Sequence, residues 1–433
     1  MSGPSHNQPS PDRRAFLKGT AAAASMAPLL ARADAIIPKT HTGVDETLRI
    51  GLIGCGGRGS GAAIDALHAD PNTKLVAMGD AFPDRVENAL SAISFDEEVG
   101  DRVDVGPDQI FTGFDAYKGV IDSGVDVVLL TTPPHFRPQH FEYAVAQGKH
   151  CFVEKPVATD VPGLKQVIEA SKQAKEKNLA VVSGLCWRYD PGVRATMEQI
   201  QNGAIGDIVA VESSYNGGTL WHRGDKPEWS RMEYQMRNWL YYTWLSGDII
   251  GEQAIHSLDK TAWLLGDASP VKAMGMGGRQ QRVQSKYGNV YDHFSVFYEY
   301  PTGQSVYFTC RQQDGCTMHV DELVHGTKGK ARVLAHEITG ENQWKYDGPK
   351  PSMYRVEHEE LFRSLREGKP IDNSDYMINS TMIGIMGRMA AYTGKTLSWE
   401  QAVSSTQRLG PAEYAWSDVP EPAPAVPGVT EFV

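Results

Sequence analysis

A lysine and a histidine stand where they can move protons. Lys155 closes the run Cys151-Phe152-Val153-Glu154-Lys155-Pro156, so it lies at the end of an expected buried strand. The proline behind it restricts Lys155 to an extended backbone. An ammonium there can donate to the reacting oxygen of an alcohol or carbonyl, because local positive charge favours a developing alkoxide. The bland alternative is a solvated lysine at a strand end. The second group lies in Gly251-Glu252-Gln253-Ala254-Ile255-His256-Ser257-Leu258-Asp259. On one continuous helix Glu252, His256 and Asp259 share a face at i, i+4 and i+7. His256 then suits a general base. Glu252 would orient its ring or relay the proton, and Asp259 would hold it or cap a neighbouring element; Lys155, His256 and Asp259 are also the candidates for substrate contact here. A histidine satisfied within its helix and a carboxylate–imidazole zinc site are the competing readings. With no second histidine placed beside His256, no metal is expected.

Moving a proton off a hydroxyl is useful where a hydride acceptor is at hand, and the N-terminal third encodes a place for one. Leu48-Arg49-Ile50-Gly51-Leu52-Ile53 reads as a buried strand that runs into Gly54-Cys55-Gly56-Gly57-Arg58-Gly59 and then into a helix. In this pattern Gly54 permits the tight turn, Gly56 lets the backbone approach a pyrophosphate, and Gly59 lets the helix pack on the strand. The helix N-terminus offers free N–H groups and a positive dipole end to phosphates. Asp80 ends a second strand about 20 residues beyond the last glycine, where a carboxylate accepts from a ribose hydroxyl. Asp80 favours NAD over NADP, since a 2′-phosphate would meet its charge; Arg85 is the residue that could pair with that phosphate. Thr132 and Pro133 follow a third buried strand and should line the same crevice. Gly57, Arg58, Glu154, Lys155 and Arg188 are the remaining candidates for cofactor contact.

These residues require a parallel sheet to position them. Strands are expected at 48–53, 74–79, 125–131, 150–154 and 180–186, with helices at 60–69, 84–94, 137–147 and 161–177 between them. That alternation indicates an α/β fold with a doubly wound parallel sheet over residues 47–186. After Cys186 the pattern changes to strands at 208–215, 271–279, 293–300, 304–311, 318–325 and 330–334, with hairpin-like spacing. This predicts a second α/β domain over 187–400 built on a large, open, mostly antiparallel sheet. Helices are expected at 191–201, 248–265, 354–367 and 376–392, and residues 401–433 should form a C-terminal tail that is Pro-rich and extended over 419–428.

Within the second domain, residues 215–246 carry Tyr215, Trp221, His222, Trp229, Tyr234, Arg237, Asn238, Trp239, Tyr241, Tyr242 and Trp244. Aromatic faces beside polar forks such as Arg237 and Asn238 suit a sugar ring; a domain or subunit contact is the equal alternative. The first 35 residues read as a targeting segment. Arg13-Arg14-Ala15-Phe16-Leu17-Lys18 is a twin-arginine signature, followed by an Ala-rich run and small-residue cleavage sites near Ala33 and Ala35. Residues 36–46 would be a linker, and the mature protein would be exported, periplasmic and without a membrane anchor. The formal charge of −11 and the lack of a basic stripe exclude nucleic acid as partner. Of five cysteines with no CxxC pair, Cys55, Cys151 and Cys186 read as small buried hydrophobes; Cys310 and Cys316 are close enough in sequence to bridge, but a chain folded before export needs no disulfide framework.

Taken together, the glycine loop, Asp80, Glu154-Lys155-Pro156, Trp187-Arg188-Tyr189-Asp190-Pro191, the His256-x-x-Asp259 segment and Gly326-Thr327-Lys328-Gly329 resemble the glucose–fructose oxidoreductase / inositol dehydrogenase / rhizopine catabolism (Gfo/Idh/MocA) family over nearly all of residues 47–400. The resemblance implies a Rossmann domain followed by an α/β domain whose sheet makes a dimer or tetramer interface. It implies NAD-dependent oxidation or reduction of a sugar or polyol, with Lys155 and His256 catalytic. The family's usual aspartate four residues before the histidine is replaced by Glu252, one methylene longer. Exported relatives hold their cofactor tightly. Two rival functions remain beside this one. A redox-neutral glycosidase would oxidise, eliminate, hydrate and re-reduce. A sensor would bind NAD without turnover.

Overall fold

The computed structural model describes residues 46–433; the twin-arginine segment and all of the linker except Glu46 lie outside the described residues. The first sheet contains β1 (Leu48–Ile53), β2 (Thr73–Asp80), β3 (Ile110–Thr112), β4 (Val127–Leu130), β5 (His150–Val153) and β6 (Val181–Ser183). All six are parallel, in the order β3-β2-β1-β4-β5-β6. Their apolar runs are buried on both faces because helices cover both sides, which is the rule for parallel sheets. The order reverses between β1 and β4, and a crevice opens there at the carboxyl ends of the strands. β3 and the helix Ala116–Asp122 were not among the expected elements. A three-residue strand, partly exposed at a sheet edge, is too short to show a period in the sequence.

The second sheet contains β7 (Ile208–Gly217), β8 (Lys272–Gly278), β9 (His293–Glu299), β10 (Ser305–Gln312), β11 (His319–Gly326), β12 (Gly329–Arg332), β13 (Glu337–Gly340), β14 (Trp344–Lys345) and β15 (Leu397–Ser398). Its order is β14-β13-β12-β11-β7-β10-β9-β8-β15. It is mixed, because β7 and β10 pair in parallel while their neighbours are antiparallel. Helices Ile255–Leu264 and Ser374–Thr393 pack on one face. On the other, register aligns Met274, Phe297 and Tyr307 in one row, and Met274 and Tyr307 are exposed.

Two elements depart from expectation in ways that shape the site. The helix expected over 248–265 is broken into Asp248–Glu252 and Ile255–Leu264. Buried Asp248, at φ 66°, starts the first piece and accepts from the Tyr291 amide at 2.8 Å and the Tyr392 hydroxyl at 2.5 Å. The helix Met353–Arg366 returns to the first domain, where Leu361, Phe362 and Leu365 share an apolar cluster with β1. A lone bridge from Val181 to Asp372 extends that return. All five cysteines are free; Cys310 is buried and Cys316 exposed. Among the described residues no helix is long and apolar enough to cross a membrane.

Candidate active site

The glycine loop is shaped by what its backbone must approach. Gly54 has φ +99°, and its missing side chain lets it lie against the Thr131–Thr132 backbone. A Cβ on Gly59 would stand 1.9 Å from the Gly54 carbonyl oxygen, so only glycine lets the helix Gly57–Ala69 start this close to β1. A Cβ on Gly56 or Gly57 would meet nothing within 4 Å, which leaves an open cradle at that helix N-terminus. The cradle fits a pyrophosphate. It forms the floor of a cleft of ≈ 480 Å³ that Gly54, Gly56, Gly57, Arg58, Gly59, Asp80, Arg85, Thr132 and Pro133 all line. Asp80 is held by the Cys55 amide at 2.7 Å and the Phe82 amide at 3.0 Å, while burial pushes its carboxyl upward. These residues would hold NAD, with the ribose at Asp80.

A second cavity of ≈ 280 Å³ opens from the cleft, and Arg58, Thr131, Thr132, Trp239, Glu252 and Gln253 border both. Lys155, His256, Glu252 and Glu154 line it together. Lys155 reaches it from the end of β5, next to a cis peptide bond to Pro156. Its Nζ donates to the Glu252 carbonyl at 2.5 Å and lies 3.4 Å from Glu252 Oε1. The break after Glu252 ends the helix there, and a carbonyl in a last helical turn lacks an intrahelical partner. Lys155 uses that orphan. Burial works against its ammonium, but Glu252 and then Glu154 outweigh it and raise the pKa. His256 is the opposite case. Burial first, then Lys155, Lys260 and Arg58, hold its pKa well below the usual histidine range. Its Nδ1 is buried without a partner, which leaves Nε2 to reach the cavity. A charged donor and a neutral acceptor therefore face one small space.

The structure redistributes several expected roles. Glu252 pairs with Lys155 and makes no hydrogen bond to His256, so it does not orient the imidazole. Arg58 bonds Glu154 and, at 2.8 Å, Glu357, under the ring of Tyr354 at 4.7 Å. Its guanidinium is thus already committed to two buried carboxylates beside the cradle. Glu154 also accepts from the Lys155 amide at 3.1 Å; burial opposes its charge, but Arg58 and Lys155 prevail and lower its pKa. Arg188, expected at the cofactor, and Asp259, expected at the substrate, line neither space. They form a buried ion pair at 2.9 Å, with Asp267 as a second partner and Tyr376 stacked 3.9 Å away. The helix break moves Asp259 off the Glu252 face. Arg237 lines the nucleotide cleft rather than the Lys155 cavity, bonded to Asp84 at 2.9 and 3.0 Å and lying over Phe82 at 4.0 Å. Asn238 is buried and ties down the loop at Arg223 and Gly224.

Of the aromatic residues, Tyr215 and Trp239 line the Lys155 cavity, whereas Tyr234, Tyr241, Tyr242 and Trp244 are core. Gln253 at the helix break, Arg137 and Tyr354 are lining residues that sequence reasoning missed. Arg137 is fully buried, bonds the Leu130 carbonyl at 2.8 Å, and is pushed down to about 10 by burial. Nothing in the sequence marks the break that exposes Gln253. Among the described residues no group of three or more His, Cys, Asp or Glu stands together as a metal site.

Comparison with known proteins agrees with this geometry. Residues 48–183 match the oxidoreductase family with an NAD-binding Rossmann fold, and residues 193–332 match the GFO/IDH/MocA C-terminal domain. A 2,7-anhydro-N-acetylneuraminate hydratase of Escherichia coli K12 is 25% identical over 50% of this chain and 53% of its own. An inositol 2-dehydrogenase of Rhizobium meliloti is 26% identical over 65% of this chain and 74% of its own. The chain spans about half the length of several of the curated relatives it matches. A levoglucosan dehydrogenase, solved with NADH and levoglucosan, shares the fold at TM-score 0.64 and 18% identity, over 82% of this chain and 99% of that one. Both halves of the described chain, the parallel-sheet domain and the domain with the mixed second sheet, are thus matched by models of a single family. The chain belongs to the GFO/IDH/MocA oxidoreductases with an NAD-binding Rossmann domain.

Proposed function

We propose that this protein oxidises, or in reverse reduces, a secondary hydroxyl of a sugar or polyol with NAD. The observation that carries the reading is the pairing of charged Lys155 and neutral His256 in one ≈ 280 Å³ cavity that opens onto the dinucleotide cleft. NAD, when bound, supplies a hydride acceptor for the substrate carbon. His256 takes the hydroxyl proton at Nε2. Lys155 donates to the same oxygen and favours its negative charge as the C–H bond breaks. Tyr215 and Trp239 offer apolar faces to the ring. The relatives named as inositol and levoglucosan dehydrogenases support a carbohydrate substrate. The test is NADH formation over a panel of sugars and polyols, with Lys155→Met and His256→Asn beside the parent. Turnover that survives both substitutions would sink this assignment.

The export signature and tight cofactor retention belong to the same reading: a chain that folds around NAD before export needs no free NAD outside. Purification without nucleotide, followed by denaturation and mass analysis of what is released, tests the retention. Fractionation of a tagged full-length chain, with Arg13 and Arg14 replaced by Lys, tests the export. A homo-oligomer is also part of it, through the open row of Met274, Phe297 and Tyr307 on the second sheet. One comparison favours a second reaction. A relative named as a hydratase fits chemistry in which oxidation activates a neighbouring C–H for elimination or water addition, and the hydride is then returned. A glycoside or anhydrosugar consumed with no accumulating NADH would select that course.

A further inference from the structure

The C-terminal segment forms no helix or strand after Ser404, yet it crosses the rim of the nucleotide cleft. It is tied to the first domain where the Leu409 amide donates to Asp160 at 2.8 Å. Gly410, at φ +92°, then sits so close that a Cβ would stand 2.9 Å from the His135 ring and 3.0 Å from Trp244. The Tyr414 hydroxyl lies 2.7 Å from His135 Nε2. Beyond Trp416 the segment is tied to the second domain: Ser417 accepts from the Met232 amide, Pro420 from Gln235, and Glu421 from the Tyr242 hydroxyl, at 3.0–3.2 Å.

Between these anchors lie two aromatic rings. Trp416 packs on Phe114 at 4.5 Å and on Phe82 at 5.3 Å between centroids. Tyr414 packs on Phe114 at 5.7 Å and on Phe136 at 5.4 Å. Phe82, Phe114 and Phe136 all line the ≈ 480 Å³ cleft. They follow the carboxyl ends of β2, β3 and β4: Phe82 caps the helix Pro83–Ser94, Phe114 lies on a loop, and Phe136 ends the 3-10 turn Pro134–Phe136. β3 is a three-residue edge strand, and past the Gly113 amide, which donates to Asp80 of β2 at 3.1 Å, the loop that carries Phe114 leaves the sheet. Support comes instead from the tail.

We propose that residues 409–421 belong to the cofactor site, with Tyr414 and Trp416 as positioning residues. They hold Phe82, Phe114 and Phe136 against the adenosine half of the cleft and so set how slowly NAD leaves. The inference rests on NAD binding in this cleft and not on which substrate is turned over. Four ring pairs make this contact, so losing both rings is expected to speed release at least about tenfold. Trp416 is 44% exposed, which makes its removal mild for folding.

The experiment uses the full chain and displacement of NADH, followed by energy transfer from tryptophan. Y414A/W416A and G410A, which lifts the segment off His135 and Trp244, should release NADH faster and be purified with less nucleotide. W416F should restore near-parental release, and the melting temperature of nucleotide-free protein should move little. Release and nucleotide content unchanged in Y414A/W416A would overturn the proposal. So would W416F releasing as fast as the double variant, or a parent that binds no NADH. A parent that retains NADH but oxidises no carbohydrate would refute the proposed reaction and leave this inference standing.

Discussion

At the scale of single residues, the site works through two opposed protonation states produced by one environment. Lys155 keeps its charge because Glu252 offers both a carbonyl and a carboxylate; His256 stays neutral because it is buried among cations. Lys155→Met is expected to lower kcat by about 10²–10⁴-fold, the range for losing a positioned proton-handling group, while NADH still binds. Steady-state kinetics beside a titration of NADH fluorescence checks both halves. The pH profile follows from the direction of the His256 shift. The imidazole must be neutral to accept a proton, and a lowered pKa keeps it neutral further into acid. The acid limb of kcat/KM is therefore expected below pH 6.5, the ordinary histidine value. A limb at or above that value would show that another group is the base. The candidates Lys155 and His256 were legible from their types and strand or helix context. The partner of Glu252 was not, since the sequence places it four residues from His256 and 97 from Lys155.

At the scale of elements, the interrupted helix decides who meets whom. A continuous helix would align Glu252, His256 and Asp259. The break after Glu252 frees a carbonyl for Lys155 and leaves Asp259 to Arg188. Arg188 joins the turn Cys186–Tyr189 to the helix Ile255–Leu264, and Ser380 of the long C-terminal helix adds a hydrogen bond to Asp259 at 2.8 Å. Arg188→Met would strand a carboxylate that is 1% exposed. Breaking a buried pair in this way costs about 3–5 kcal/mol. Thermal unfolding should show a large drop, with NADH affinity unchanged in the folded fraction; a stable variant that binds NADH poorly would return Arg188 to the cofactor. The strands of both sheets were legible because burial on two faces, or on alternate faces, writes a period into the sequence. β3, β13, β14 and β15 were not, being both short and placed at or next to the sheet edges, where partial exposure removes the apolar run.

At the scale of the whole molecule, the second sheet leaves an apolar row uncovered. Met274 is 52% and Tyr307 55% exposed, and the rings of Phe297 and Tyr307 lie 5.4 Å apart. Exposed apolar patches of this kind mark contact surfaces. Light scattering of the parent is expected to give a multiple of the chain mass, and Tyr307→Glu to shift it toward the monomer. A parent of single-chain mass would remove the oligomer from the proposed function.

The sequence by itself determined what depends on local rules. Strand periods, the glycine spacing and the place of Asp80 and Lys155 at strand ends each follow from nearest-neighbour sterics and burial. Those were enough for the doubly wound domain, the nucleotide cleft and the open second sheet. Only the tertiary structure decided what depends on residues far apart in the chain. Arg58 could meet Glu357, Arg237 could meet Asp84, and Trp416 could meet Phe82 only after both domains and the tail had packed. A charge has no periodicity that names its partner. Its choice is made by which carboxylate folding leaves within reach and out of water.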